Sequence, residues 1–182
     1  MRRLLTGLVL SFAAGLLAMG GGDDEVPEAA VVWLNLSQME GGNCTAIASF
    51  QLPEETAAAT IQGNISDTPR LEDGVDGRVI DCRVRRNAEG TYDVSLSLRA
   101  PELTLFQAVG SLDEETGGAL SVVVQAARTG SLTQTDCTAE VEAITENAVW
   151  VSSLRCDDLR DRLSPNVLCL GTGGILFERC QG

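Results

Sequence analysis

The sequence predicts an all-β fold, an antiparallel β-sandwich with a barrel-like sheet as the alternative. Three observations lead there. Between Tyr92 and Ala100 apolar and polar residues alternate, with Tyr92, Val94, Leu96, Leu98 and Ala100 set against Asp93, Ser95, Ser97 and Arg99. A period of two is the mark of a half-buried strand. Turn-forming residues recur roughly every 8–14 positions, the spacing of many short antiparallel strands. Six cysteines, an even number, accompany the pattern and imply a framework of three disulfides.

Taken in order, the chain opens on Arg2 and Arg3, then an apolar run from Leu4 to Met19, then small residues with Ala18 and Gly20 at the minus-three and minus-one positions of a cleavage point. A charged start, a short apolar middle and a small-residue exit read as a secretory signal peptide over 1–20. The run is shorter than the ~20 residues of a membrane-spanning helix. Leu16-Leu17-Ala18 is what precedes the lipid-bearing cysteine of bacterial lipoproteins, but Met19 stands where that cysteine would be. No lipid anchor is expected, and the destination is periplasmic or extracellular. Residues 21–29, rich in Gly and acid, read as a mobile tether, and 30–182 as a single β domain.

Within that domain Ile80, Cys82 and Val84 point inward against Asp81, Arg83 and Arg85. Leu120, Val122, Val124 and Ala126 line one face of a later strand, and Thr135, Cys137, Ala139 and Val141 line another. Weaker strands are expected over 31–36, 45–52, 58–65, 103–112, 148–156 and 174–180. Pro53-Glu54-Glu55, Asp73-Gly74, Asn87 to Gly90, Asp113 to Gly118 and Thr129-Gly130 supply the turns. One segment departs from the pattern. Over 157–164, Asp157 and Asp158 precede Arg160 and Arg162 and the run stops before Pro165, which predicts a short helical turn.

The cysteines stand at Cys44, Cys82, Cys137, Cys156, Cys169 and Cys180. Sequential pairing, Cys44–Cys82, Cys137–Cys156 and Cys169–Cys180, encloses modest loops and is the expected connectivity, although sequence alone does not choose among pairings. A structural zinc is not expected, because there is no C-x-x-C pair and no histidine.

The formal charge is −13, and all 13 basic residues are arginine. So acidic a surface repels nucleic acid and anionic membranes and keeps the protein in solution. Without histidine or lysine, histidine-based triads and Schiff-base chemistry are excluded. Paired carboxylates remain the one route to hydrolysis, and the acids lie mostly in turns. The expectation is a non-enzyme. In the acidic turn Leu71 to Gly77, Glu72, Asp73 and Asp76 can offer oxygens to calcium, though the EF-hand order is missing; a solvated turn is the simpler reading, and no cofactor is expected.

Gly171-Thr172-Gly173-Gly174 reads as a tight hairpin closed by Cys169–Cys180. Trp33 and Trp150 are the only tryptophans. On an exposed face they would stack on a sugar or anchor a partner. The shared phase of Trp150 with Leu154 and Cys156 places it in the core instead, and the core is expected for both. Asn35, Asn43 and Asn64 begin N-glycosylation sequons that matter only in a host that glycosylates.

The layout resembles a loose group of secreted and lipoprotein-like, cysteine-paired β-rich proteins of GC-rich, predatory or gliding bacteria. The likeness rests on Gly20 to Glu25, on the D-G-x-x-G-x-x-x-x-C run from Asp73 to Cys82, and on Phe177-Glu178-Arg179-Cys180. The resemblance implies a location and a fold but no activity. The functional expectation is therefore an exported binding or structural module of the cell envelope, acting on a protein or glycan partner. A calcium-dependent adhesion-type module is the first alternative and a carboxylate-based hydrolase the second.

Overall fold

The computed structural model describes residues 26–39, 43–44, 48–54, 69–127, 130–164 and 166–182. The expected signal peptide 1–20, most of the tether, Met19, the expected strand 58–65 and Asn64 lie outside the described residues. The strands are β1 (Ala29–Gln38), β2 (Ala48–Leu52), β3 (Leu71–Glu72), β4 (Val79–Arg86), β5 (Tyr92–Arg99), β6 (Leu105–Asp113), β7 (Gly117–Ala126), β8 (Gly130–Thr145), β9 (Ala148–Asp161) and β10 (Leu168–Glu178).

All pair antiparallel in one sheet of order β2-β1-β10-β9-β8-β7-β6-β5-β4, with β3 alongside β1. The chain is thus all-β and antiparallel, as expected, in the barrel-like form. The hydrogen bonding does not divide into two sheets. A single sheet buries one face only by curling, and this one forms a half-barrel around a core drawn from every strand. Leu34, Leu96, Leu98, Phe106, Leu112, Leu120 and Phe177 fill it, all essentially without solvent contact.

The inward residues foreseen on β4, β5 and β7 are inward: Ile80, Cys82 and Val84; Val94, Leu96 and Leu98; Leu120, Val122, Val124 and Ala126. The long strands β8 and β9 behave differently. Against β10, Gly173 pairs with Leu154 and Ile175 with Val151, so β9 carries an extra residue at Ser152-Ser153. A second extra residue lies at Asp157-Asp158, between the Cys169–Leu159 and Gly171–Cys156 pairs. Each bulge flips the alternation. Inward positions on β9 therefore run Val149, Val151, Leu154, Cys156, Leu159.

Two expectations fall with this register. The segment 157–164 is not a helical turn: β9 continues to Asp161. Its charges pair two apart along the strand, Arg155–Asp157 and Arg160–Asp158, each at 2.7 Å. The amide that the bulge withdraws from the ladder, Asp158 N–H, donates to Gln134 Oε1 at 2.6 Å. Nor is Gly171 to Gly174 a hairpin. It lies in mid-β10, where a Cβ on Gly173 would run into the Trp33 carbonyl and one on Gly171 into Leu159. The glycines let β1 and β9 close in as the sheet curls.

Three disulfides form, with connectivity Cys44–Cys169, Cys82–Cys180 and Cys137–Cys156. Cys137–Cys156 is the expected pair; it joins adjacent strands where Thr138 faces Arg155. The pairings Cys44–Cys82 and Cys169–Cys180 are corrected. Cys169 is the second residue of β10, and Cys180 lies just past its end. An extended strand of that length holds its ends roughly 35 Å apart, far beyond the reach of a disulfide. Cys169 sits instead opposite Gln38 at the end of β1, beside the segment that carries Cys44.

Candidate functional site

Two regions gather the residues on which a function could rest. The first is the seam where the sheet's edges meet. An edge strand exposes every second N–H and invites pairing with other chains. On β4 those groups are occupied in sequence. Ile80 N–H donates to Asp73 Oδ1 (2.8 Å), Cys82 N–H to Glu28 Oε2 (3.0 Å) and Val84 N–H to the Gln181 carbonyl (2.9 Å). Gln181 N–H returns a bond to the Cys82 carbonyl at 2.9 Å, and the Cys82–Cys180 bridge lies between. Two carboxylates, a tail and a disulfide thus stand in for a neighbouring strand.

This arrangement assigns Asp73 a structural task. Glu72 faces Arg179 (3.7 Å) and Asp76 faces Arg78 (3.2 Å), so the three turn acids are directed to three different partners. Among the described residues no group of three or more His, Cys, Asp or Glu side chains is arranged to hold a metal ion. Glu28, placed by sequence in the tether, is instead anchored at the seam. It shares a cleft of about 580 Å³ with Asp73, Asp81 and Arg179. These are the carboxylates a hydrolase would draw on, but one oxygen each of Glu28 and Asp73 is held by the β4 backbone.

Burial raises the Glu28 carboxyl above its ordinary value; the Cys82 N–H pulls it back, and the negative charges of Asp81 and Asp73 raise it further. Among the described residues its Oε1 is buried with no hydrogen-bond partner. The folded chain therefore keeps this proton to higher pH than the unfolded chain does. The associated stability is complete below the ordinary glutamate range and is lost as pH rises through the raised folded value. Comparison with Glu28→Gln isolates the effect, since every other ionisable group is common to both proteins. In melts taken from about pH 4 to pH 7, the native midpoint is expected to fall relative to that of the Gln variant. Parallel pH profiles would show that Glu28 does not carry it.

The second region is the outer face of β1, β10 and β9. Trp33 and Trp150, expected in the core, lie here with Val31 and Leu176 in a cluster separate from the main core. The β9 bulge at Ser152-Ser153 is the cause: Val149 and Val151 take the inward positions, and Trp150 turns outward. Leu176 lies between Val31 and Trp150 in one cross-strand row, and Trp33 faces Gly174, which offers no side chain. Val31 and Leu176 are closed to solvent, while both indoles stay half-buried. Beyond Trp33 lie Gln51 on β2 and, two pairs further along on the same face, Asn35 and Thr172. The nearest carboxylate on β10, Glu178, is held by Arg70 through two hydrogen bonds of 2.8 and 3.3 Å.

The spacing Val149-x-Val151-x-x-Leu154-x-Cys156-x-x-Leu159 is the signal that would have turned Trp150 outward. The clustering of Trp150 with Trp33 has no local signal, because it depends on β10 coming between β1 and β9. No helix among the described residues is long and apolar enough to cross a membrane. No protein family matches the chain, nor does any curated protein or solved structure.

Proposed function

We propose that the chain is an exported, non-enzymatic binding module of the cell envelope, held in shape by its disulfides. The observation that carries this reading is the closure of all six cysteines into three bridges, two of which tie together parts of the chain about a hundred residues apart. Such bridges belong to oxidising compartments. The signal-like start and the acidic, lysine-free composition agree with export and with a soluble mature form. The absence of histidine and lysine, together with the occupied carboxylates of the seam, favours binding over catalysis.

Peptide mapping of the native protein under non-reducing conditions is expected to find three cystines and a new N-terminus near Gly20. Six free thiols, or Met1 intact on a cytosolic form, would overturn the reading. Melting with added calcium is expected to leave the midpoint unchanged. A calcium-dependent rise would favour the adhesion-type alternative.

A further inference from the structure

We infer that the Trp33–Trp150 face binds an uncharged glycan, stacking sugar rings on the two indoles; this deepens the binding-module reading and rests on it. Three features of the face fit that ligand. Its centre is aromatic, and the apolar face of a sugar ring packs on an indole while its hydroxyls stay at the edge. Its rim offers Gln51, Asn35 and Thr172, which donate and accept hydrogen bonds without charge.

Of its flanking charges Arg70 is paired with Glu178 and Arg155 with Asp157, and the exposed Glu140 and Glu142 on β8 add to a net charge of −13 that repels polyanions. The indoles sit on β1 and β9 with β10 between them, staggered by one side-chain repeat. Two strand spacings and that stagger place them roughly 12 Å apart, on the scale of an extended oligosaccharide and not of a single ring. A stable protein partner asks for about 800 Å² per side with a broad apolar centre. The described face offers two half-buried indoles above residues already closed to solvent.

Titration of the oxidised protein with neutral hexasaccharides of β-glucan, xylan, mannan and chitin, read by tryptophan fluorescence and calorimetry, tests the inference. At least one is expected to give a saturable shift, while hexagalacturonate gives none. Trp33→Ala and Trp150→Ala are each expected to weaken binding about tenfold or more, with Trp→Phe losing less. Near-UV circular dichroism checks the fold, and Asn35→Ala with Gln51→Ala supplies a rim variant that leaves the cluster intact. The inference is overturned if no neutral hexasaccharide gives a saturable signal, if the polyanion binds as well, or if binding survives loss of both indoles. Indole-dependent binding of a deglycosylated envelope-protein fraction, with none to any glycan, also overturns it. Those failures leave export and cystine content untouched, so they are distinguishable from failure of the binding-module reading.

Discussion

Replacing Cys82 and Cys180 together by serine is expected to lower the melting midpoint by roughly 10 °C, a loss of about 3–4 kcal/mol. The bridge joins residues 98 apart in sequence. In the chain-entropy picture a loop of about 100 residues is worth about 4.7 kcal/mol when it is the only link. The Cys44–Cys169 bridge already shortens the path between these residues, so the expected value is smaller. Location adds to the effect. Both cysteines are buried at the seam, next to the bonds that hold β4 to Glu28 and Gln181. Calorimetry without reductant measures the loss. Hydrogen exchange should show it falling first on the amides of Ile80, Cys82 and Val84, which face Asp73, Glu28 and Gln181. A midpoint within about 2 °C of the native value would mean that hydrogen bonding alone closes the seam.

That seam also marks where the sequence stops being informative. Alternation on β4, β5 and β7 was legible because each strand keeps one phase from end to end, with every second residue of Ile80 to Val84, Val94 to Leu98 and Leu120 to Ala126 in the core. Hairpins were legible from Asn87 and Asp113, whose side chains accept the turn amides of Glu89 and Thr91, and of Glu115 and Thr116. What was not legible is whatever depends on closure. Glu28 and Asp73 look like any acid in a tether or turn until β4 comes alongside. Cysteine pairing followed the sheet order, in which β10 sits between β1 and β9, and not the order of the chain. The two tryptophans needed both the bulge and that insertion to meet. The candidate binding face is thus a product of topology, and only its raw materials appear in the sequence.

The bulge that exposes Trp150 makes the two faces of β10 a sharp test of the register. Phe177→Ala is expected to cost about 3–5 kcal/mol, because it empties a wholly buried aromatic site in the main core. For a domain of this size that is a fall of roughly 10–15 °C in the midpoint. Leu176 is its immediate neighbour but faces outward, beneath Trp33 and Trp150. Leu176→Ala removes a smaller buried side chain from a smaller cluster, at about 2–3 kcal/mol. The decisive readout is spectroscopic. Leu176→Ala opens the floor of the indole cluster and should shift native tryptophan emission to longer wavelength. Phe177→Ala should leave that emission in place until the chain unfolds, since its cavity opens on the opposite side of the sheet. The reverse pattern would mean that Trp33 and Trp150 share a face with Phe177 and not with Leu176. Both tryptophans would then face the core, and the outer face would carry neither the aromatic pair nor the ligand inferred for it.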